Sequence, residues 1–378
     1  MDPSSVKRLF PSVSSGHYFN HAAISPWPSS VANAVRDFAT ENEVSGPAHY
    51  RSWIALEKSL RTNLSRLIGA SSIDDIALLK NTTEGISTVA WGLDWQVGDN
   101  VVLPLDEFPS NRLPWLAQSE RGVEIREIDI RTAENAESAL IEAMDENTRI
   151  LVVSSVQWND GFRLDLNILG EACRQRGILF FVDAIQQLGA LSLDVMECHI
   201  SFLAADAHKW LLGPEGIAIF YVNEESRPLL CLRQLGWHMF DNPWAFARQN
   251  WQPASSARRF EAGSPNSLGQ VGFKAATDVL LVQGMESIEE NVLNNTNHLL
   301  QNLMALKKIR VTTRLEQERR SGIVTFKPES GSATTLHRAL AEQGIGCSVR
   351  DQAIRFSPHF YQGAQDIDDV TRILETVL

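Results

Sequence analysis

The chain has 378 residues, 44% of them hydrophobic and 21% charged, with a formal net charge of −12. That length can bury more than one core, and the acidic balance excludes a nucleic-acid backbone as partner. No apolar run approaches a membrane span, the first ten residues lack a signal-peptide stretch, and Cys173, Cys198, Cys231 and Cys347 are too scattered for a zinc site or a disulfide framework. A cytoplasmic protein without metal, its cysteines serving as small buried hydrophobes, is therefore expected.

From about residue 50 to 225, short β-rich runs alternate with helical patterns. Helical spacing over Trp53–Ile68 is followed by strands at Ile76–Leu79 and Val101–Leu103 and a helix at Ser138–Met144. Then come a strand at Ile150–Val153, a helix at Asn167–Arg176 and strands at Ile178–Val182, Ile200–Leu203 and Gly216–Val222. The alternation predicts βαβ units and a mostly parallel sheet covered on both faces, with the functional site at the strand carboxyl ends. The stretch Arg227–Arg259 carries Trp237, Trp244 and Trp251 and reads as a long structured excursion, a lid or an interface element. A helix is expected after Pro265, through Gln270 to Gln283. Beyond it lie a strand at Ser321–Phe326, a helix at Thr334–Gln343, more strands and a terminal helix from Ile367. The expected division is a large α/β domain, 16–265, and a small α+β domain made of 1–15 and 266–378.

Three places carry chemistry. Asp183 closes the apolar run 178–182, and Lys209 follows the run at 200–204 in the segment Asp-Ala-His-Lys-Trp-Leu-Leu-Gly-Pro-Glu-Gly, 206–216. A carboxylate at a strand end can hold a pyridine nitrogen protonated, and a lysine beside it can carry the ring as a Schiff base. Together they look like the two poles of a pyridoxal-phosphate site. Asn81-Thr82-Thr83-Glu84-Gly85 opens a helix after a strand; it reads either as a plain capped helix or, beside that pair, as a phosphate cradle.

With these motifs the chain resembles the class V aminotransferase family of fold type I pyridoxal-phosphate enzymes, which includes cysteine desulfurases and selenocysteine lyases. The resemblance runs from the segment 18–23 to the segment 355–361. It implies a seven-stranded-type, mostly parallel sheet in the large domain and a small amino acid as substrate. Lys209 would carry pyridoxal 5'-phosphate and move protons, Asp183 would pair with the pyridine nitrogen, and Gln186 would bond the phenolic oxygen. Thr82, Thr83 and His208 would hold the phosphate. Asp206, where desulfurases often have serine, would orient His208. Ser264 matches a hydroxyl that reaches the partner's phosphate, so a homodimer with shared sites is implied. Arg355 matches the arginine that grips the α-carboxylate, and Asn20, His21 and Ala22 match a segment bordering the substrate pocket.

Two departures from the family pattern bear on the reaction. Phe108 stands where desulfurases place a histidine; it can stack on the cofactor but cannot transfer protons. The mobile cysteine loop of persulfide-forming desulfurases is missing, because residues 344–355 run from strand to strand with Cys347 inside. An aminotransferase is therefore expected, with a carbon–sulfur or carbon–selenium lyase, or a cysteine desulfurase-like enzyme using Cys347, as the alternative, and a non-catalytic pyridoxal-phosphate-binding protein behind them. Trp158 and Asn159 lie near a position bordering the phenolic oxygen, and Trp237 and His238 are candidates for the partner's contribution to the substrate mouth. A second substrate carboxylate would need a second arginine, with Arg112, Arg258 and Arg350 as candidates.

Overall fold

The structure, a computed structural model, describes residues 3–244 and 252–378, so Trp251 lies outside the described residues. After a short strand β1 (His17–Tyr18), seven strands build the main sheet: β2 (Ile76–Leu79), β3 (Asn100–Pro104), β4 (Glu124–Ile128), β5 (Thr148–Ser154), β6 (Leu179–Asp183), β7 (Phe202–Asp206) and β8 (Ala218–Val222). Their order is β2-β8-β7-β6-β5-β3-β4. β8 pairs antiparallel with β2 and β7, and the other pairings are parallel. The mostly parallel α/β architecture expected from the sequence is present.

The strand sequences explain why this sheet is buried on both faces. Val101, Leu103, Ile150, Val152 and Phe181 enter one core, while Val102, Leu151, Val153, Phe180 and Val182 enter the other. Successive residues point to opposite faces, so a strand covered on both sides reads as an unbroken apolar run. β7 begins two residues later than expected. The Ile200 N–H bonds back to the Val195 carbonyl, which keeps that residue in the turn before the strand. β4 was not anticipated; its sequence, Glu-Ile-Arg-Glu-Ile, is partly exposed at the sheet edge.

The helix Thr82–Gly92 follows β2. Asn81 caps it, its side chain accepting from the Glu84 N–H at 2.8 Å, as the capping pattern predicts. Gly85 sets the helix directly onto the sheet: a Cβ there would lie 2.9 Å from the Ala204 Cβ and 3.1 Å from the Phe220 ring. The first helical turn is thus held beside β7.

A second, four-stranded antiparallel sheet has the order β12-β13-β10-β9, with β9 at Ile309–Val311, β10 at Val324–Pro328, β12 at Ser348–Arg350 and β13 at Ala353–Phe356. β11 (Ile345–Gly346) pairs with β1. This unit encloses its own core, including Phe326, Leu340, Ile354, Val370 and Leu374. The helix Met285–Ala305 joins the two regions: Ile288 and Val292 belong to the larger core, Leu299, Leu300 and Leu303 to the smaller. The helix Ser267–Gln283 packs against the helices Ser29–Ser45 and Tyr50–Leu67 beside the main sheet.

One turn matters for the site. β12 and β13 are joined by Asp351 (φ 47°) and Gln352 (φ 60°). Two successive positive φ values give the twist of a tight hairpin, at a strain of order 1 kcal/mol per residue without glycine. The register pairs Ser348 with Arg355 and Arg350 with Ala353. Among the described residues no helix is long and apolar enough to cross a membrane.

Candidate active site

A cavity of about 310 Å³ opens at the carboxyl ends of β5, β6 and β7. Its floor carries Ser154, Asp183, Asp206 and Lys209; Phe108 and Trp158 wall it, and Arg350 and Arg355 face it from the smaller sheet. The structure therefore brings Asp183, Lys209, Thr82, Thr83, Phe108, Gln186, Asp206, His208 and Arg355 together around one space.

Asp183 is buried and accepts a hydrogen bond from the Ile185 N–H at 3.0 Å. Burial pushes its carboxyl up to about 7, helped by Glu107 and opposed by Lys209. Such a group gains most from a cationic N–H partner inside the cavity. Lys209 is pushed the other way, down to about 8, first by burial and then by Arg355, while Asp183 pulls it back up. Its Nζ stands over the Phe108 ring, 5.9 Å from the centroid. An amine poised near neutrality is available as a nucleophile and a proton carrier.

The other end of the cavity is built from the N-terminus of Thr82–Gly92. The Thr83 hydroxyl donates to Ser110 Oγ at 2.9 Å. His208 is held neutral, pushed down to about 4 by burial and then by Lys209. Asp206 accepts from the Thr82 N–H at 3.1 Å, whereas His208 Nδ1 is 3.8 Å away, beyond hydrogen-bond range. Its main contact is thus the helix terminus, and burial pushes the carboxyl up to about 6. Gln186 is fixed in orientation, because the Trp210 indole N–H, a donor only, bonds its Oε1 at 2.9 Å. Its Nε2 donates to the Ala22 carbonyl at 3.0 Å and keeps a second N–H.

Arg355 is 1% exposed, and its Nη1 donates to the Trp158 carbonyl at 2.5 Å. Its Nε is buried without a partner, and the residue makes no ion pair among the described residues. Burial and the adjacent Arg350 push the guanidinium down to about 9, which leaves it charged at neutral pH. A buried cation held by one carbonyl is a site prepared for an anion.

Other expected residues lie elsewhere. His21 is buried behind the cavity, its Nδ1 2.8 Å from the Ser357 carbonyl and its Nε2 2.6 Å from the Tyr361 hydroxyl. Asn20 bridges Ser357 beside it, whereas Ala22 of the same segment lines the cavity together with Ala23 and Ile24. Ser264 sits with Lys80, Gly216 and His238 in a separate cavity of about 280 Å³. Trp237 packs against Trp244. Asn159 is buried away from the lining, while Trp158 lines the cavity and donates its indole N–H to the Asp106 carbonyl.

Glu107 is a buried residue that the sequence did not single out. Its carboxylate accepts from the Ser154 N–H at 2.6 Å, from the Ser154 hydroxyl and from Gln157 at 3.2 Å. It locks the end of β5 beneath the cavity, and its own burial pushes it up. The signal available was a carboxylate between the apolar end of β3 and a phenylalanine.

The residues present fit pyridoxal phosphate. A helix terminus with two threonines and a neutral histidine suits a phosphate, the raised Asp183 suits a protonated ring nitrogen, Phe108 offers a ring face, and Lys209 an amine.

Comparison with known proteins agrees. The family profile described as "Aminotransferase class-V" matches residues 17–370. A probable cysteine desulfurase of Methanothermobacter thermautotrophicus is 27% identical over 410 aligned residues, covering 100% of this chain and 98% of that protein. A cysteine desulfurase of Shigella flexneri is 30% identical over 337 residues, covering 87% and 82%. The fold is shared with the cystine C–S lyase C-DES, solved with its reaction product cysteine persulfide: the TM-score is 0.90 at 24% identity, covering 97% of this chain and 99% of that one.

Proposed function

The chain belongs to the class V aminotransferase family of pyridoxal-phosphate enzymes, and we propose that it transaminates a small amino acid. When bound, the cofactor supplies an electron sink that makes the substrate's α-proton removable. Thr82, Thr83 and His208 hold its phosphate, Asp183 keeps its ring nitrogen protonated, Gln186 donates to its phenolic oxygen and Phe108 covers one ring face. Arg355 binds the substrate α-carboxylate and orients the α-hydrogen toward Lys209. Ser264 lines a separate cavity and not its own chain's candidate active site, which supports a homodimer in which this hydroxyl completes the partner's phosphate site.

One observation carries the choice of reaction. Lys209 is the lining group left to move protons at the substrate, since Asp206 and His208 lie at the helix terminus and Phe108 has no proton to give. A single amine that takes the proton from the substrate's α-carbon and returns it to a second carbon would suffice for the half-reaction of a transamination, with water then releasing the 2-oxo acid while the amino group stays behind.

A second reading, elimination of a thiolate from cysteine or cystine, is supported by the names of the relatives. It does not use Cys347, which is 7% exposed and whose thiol burial pushes up to about 12.

The test is to give the holoenzyme a panel of L-amino acids without any 2-oxo acid. Transamination yields one equivalent of 2-oxo acid per site and then stops until an oxo-acid acceptor is added. Continuous release of pyruvate with sulfide or a persulfide would replace this reading with the lyase.

A further inference from the structure

Arg350 and Arg355 share one face of the β12–β13 hairpin. Ser348 lies opposite Arg355 and Arg350 opposite Ala353, so the two arginines are diagonal neighbours on the same side. Both face the cavity. Like charges so placed repel, and carboxylates normally come between them. Here two nearby carboxylates, neither of them in the cavity lining, are engaged elsewhere. Asp351, next to Arg350 in the chain, pairs with Arg131 at 3.2 Å, and Asp106 pairs with the same Arg131 at 2.9 Å. Arg350 itself donates to the Val349 carbonyl at 2.8 Å and makes no ion pair among the described residues.

The other two candidate arginines do not reach the site. Arg112 is bound to Glu127, with Nη2 3.0 Å from Oε2. Arg258 donates to the His238 carbonyl at 3.4 Å.

We propose that Arg350 receives a second carboxylate, at the side-chain end of the substrate, so that the enzyme acts on amino acids carrying two carboxylates. The proposal rests on the assignment of Arg355 to the α-carboxylate. Two sources share this chemistry: acidic amino acids such as aspartate and glutamate, and the disulfide amino acid cystine, whose second carboxylate belongs to its other half. The hairpin turn, strained at Asp351 and Gln352, and the ion pairs of Arg131 hold Arg350 in place while leaving its charge unanswered.

The experiment compares the wild-type holoenzyme with Arg350→Gln and Arg350→Lys in two ways. The first is calorimetric titration with glutarate and with butyrate, which differ by one carboxylate and carry no amine. The second is kcat/KM on L-glutamate, L-aspartate and L-cystine against L-norvaline and L-2-aminobutyrate. In the wild type the second carboxylate is expected to favour binding and turnover by roughly 10–100-fold. Arg350→Gln should collapse both ratios toward one, and Arg350→Lys should restore part of them. Bound-cofactor absorbance verifies that each variant is folded. Preference for glutamate or aspartate identifies an acidic amino acid, and preference for cystine identifies the disulfide. Parallel losses on all ligands would mean that both arginines grip the α-carboxylate, and unchanged ratios would mean that Arg350 binds nothing; either outcome overturns the proposal. If the glutarate discrimination and its collapse are seen but no amino acid reacts, the arginine pair stands and the transamination reading fails.

Discussion

The ammonium of Lys209 and the ring of Phe108 face each other across the cavity, with Nζ 5.9 Å from the ring centroid. The reactive amine thus meets an aromatic wall that cannot exchange a proton with it or with a substrate. Phe108→His would keep a ring and add a proton carrier. The expected result is a larger share of β-elimination, read as the ratio of pyruvate plus sulfide to transamination product from cysteine. An unchanged ratio would show that the wall has no say in the reaction. Phe108→Ala should weaken cofactor retention by roughly tenfold through lost stacking.

Covalent loading of the apoenzyme requires Lys209 as the free amine. Burial lowers it to about 8, so the free fraction grows as pH rises through that value. Stopped-flow absorbance should show a loading rate that climbs about tenfold per pH unit below the midpoint and levels off above it. A flat profile between pH 6.5 and 9 would contradict the assignment. Lys209→Ala should lower kcat by at least ~10³-fold.

Asp183 is raised from 3.8 to about 7 in the folded chain, mainly by burial. The folded apoenzyme therefore binds a proton that the unfolded chain has released, and Asp183's contribution to stability falls as pH rises from about 4 through about 7. Asp183→Asn removes that penalty. At pH 8 its apo form should melt about 2–4 °C above the wild type, while the holo variant loses nearly all activity. Apo melting curves for both proteins at pH 5 and pH 8 would decide it; an equal difference at the two values would remove the electrostatic explanation.

Cys347→Ala should leave turnover within about twofold, because the thiol is buried and its pKa is pushed up to about 12. The stability cost should be about 1 kcal/mol, typical of a small buried truncation. Loss of sulfide release from cysteine in this variant, with transamination intact, would restore a persulfide role for it.

What could be read from the chain follows from what each residue does locally. Asp183 and Lys209 stood out because a charged residue at the end of an apolar run is conspicuous, and the strand ends fall where a parallel sheet collects its ligands. Thr82 and Thr83 were readable through the Asn81 cap. Edge strand β4 was not, since Glu124, Arg126 and Glu127 break the apolar run that marked the central strands. Asn20 and His21 sit one layer behind the cavity, a displacement fixed by their bonding to Ser357 and Tyr361, which are over 300 residues away in the chain. Arg350 was one of three equal candidates; hairpin register and the distant Arg131 single it out, and no local pattern encodes either.

The helix Met285–Ala305 gives its first turns to the larger core and its last turns to the smaller. The smaller unit cannot melt while the larger stays intact unless the chain breaks helical hydrogen bonds in the middle of that rod. Heat should therefore take both regions in one cooperative transition. Any rocking of the smaller sheet, which carries both arginines, would swing about this shared axle, and hinge bending in a loop would not be needed.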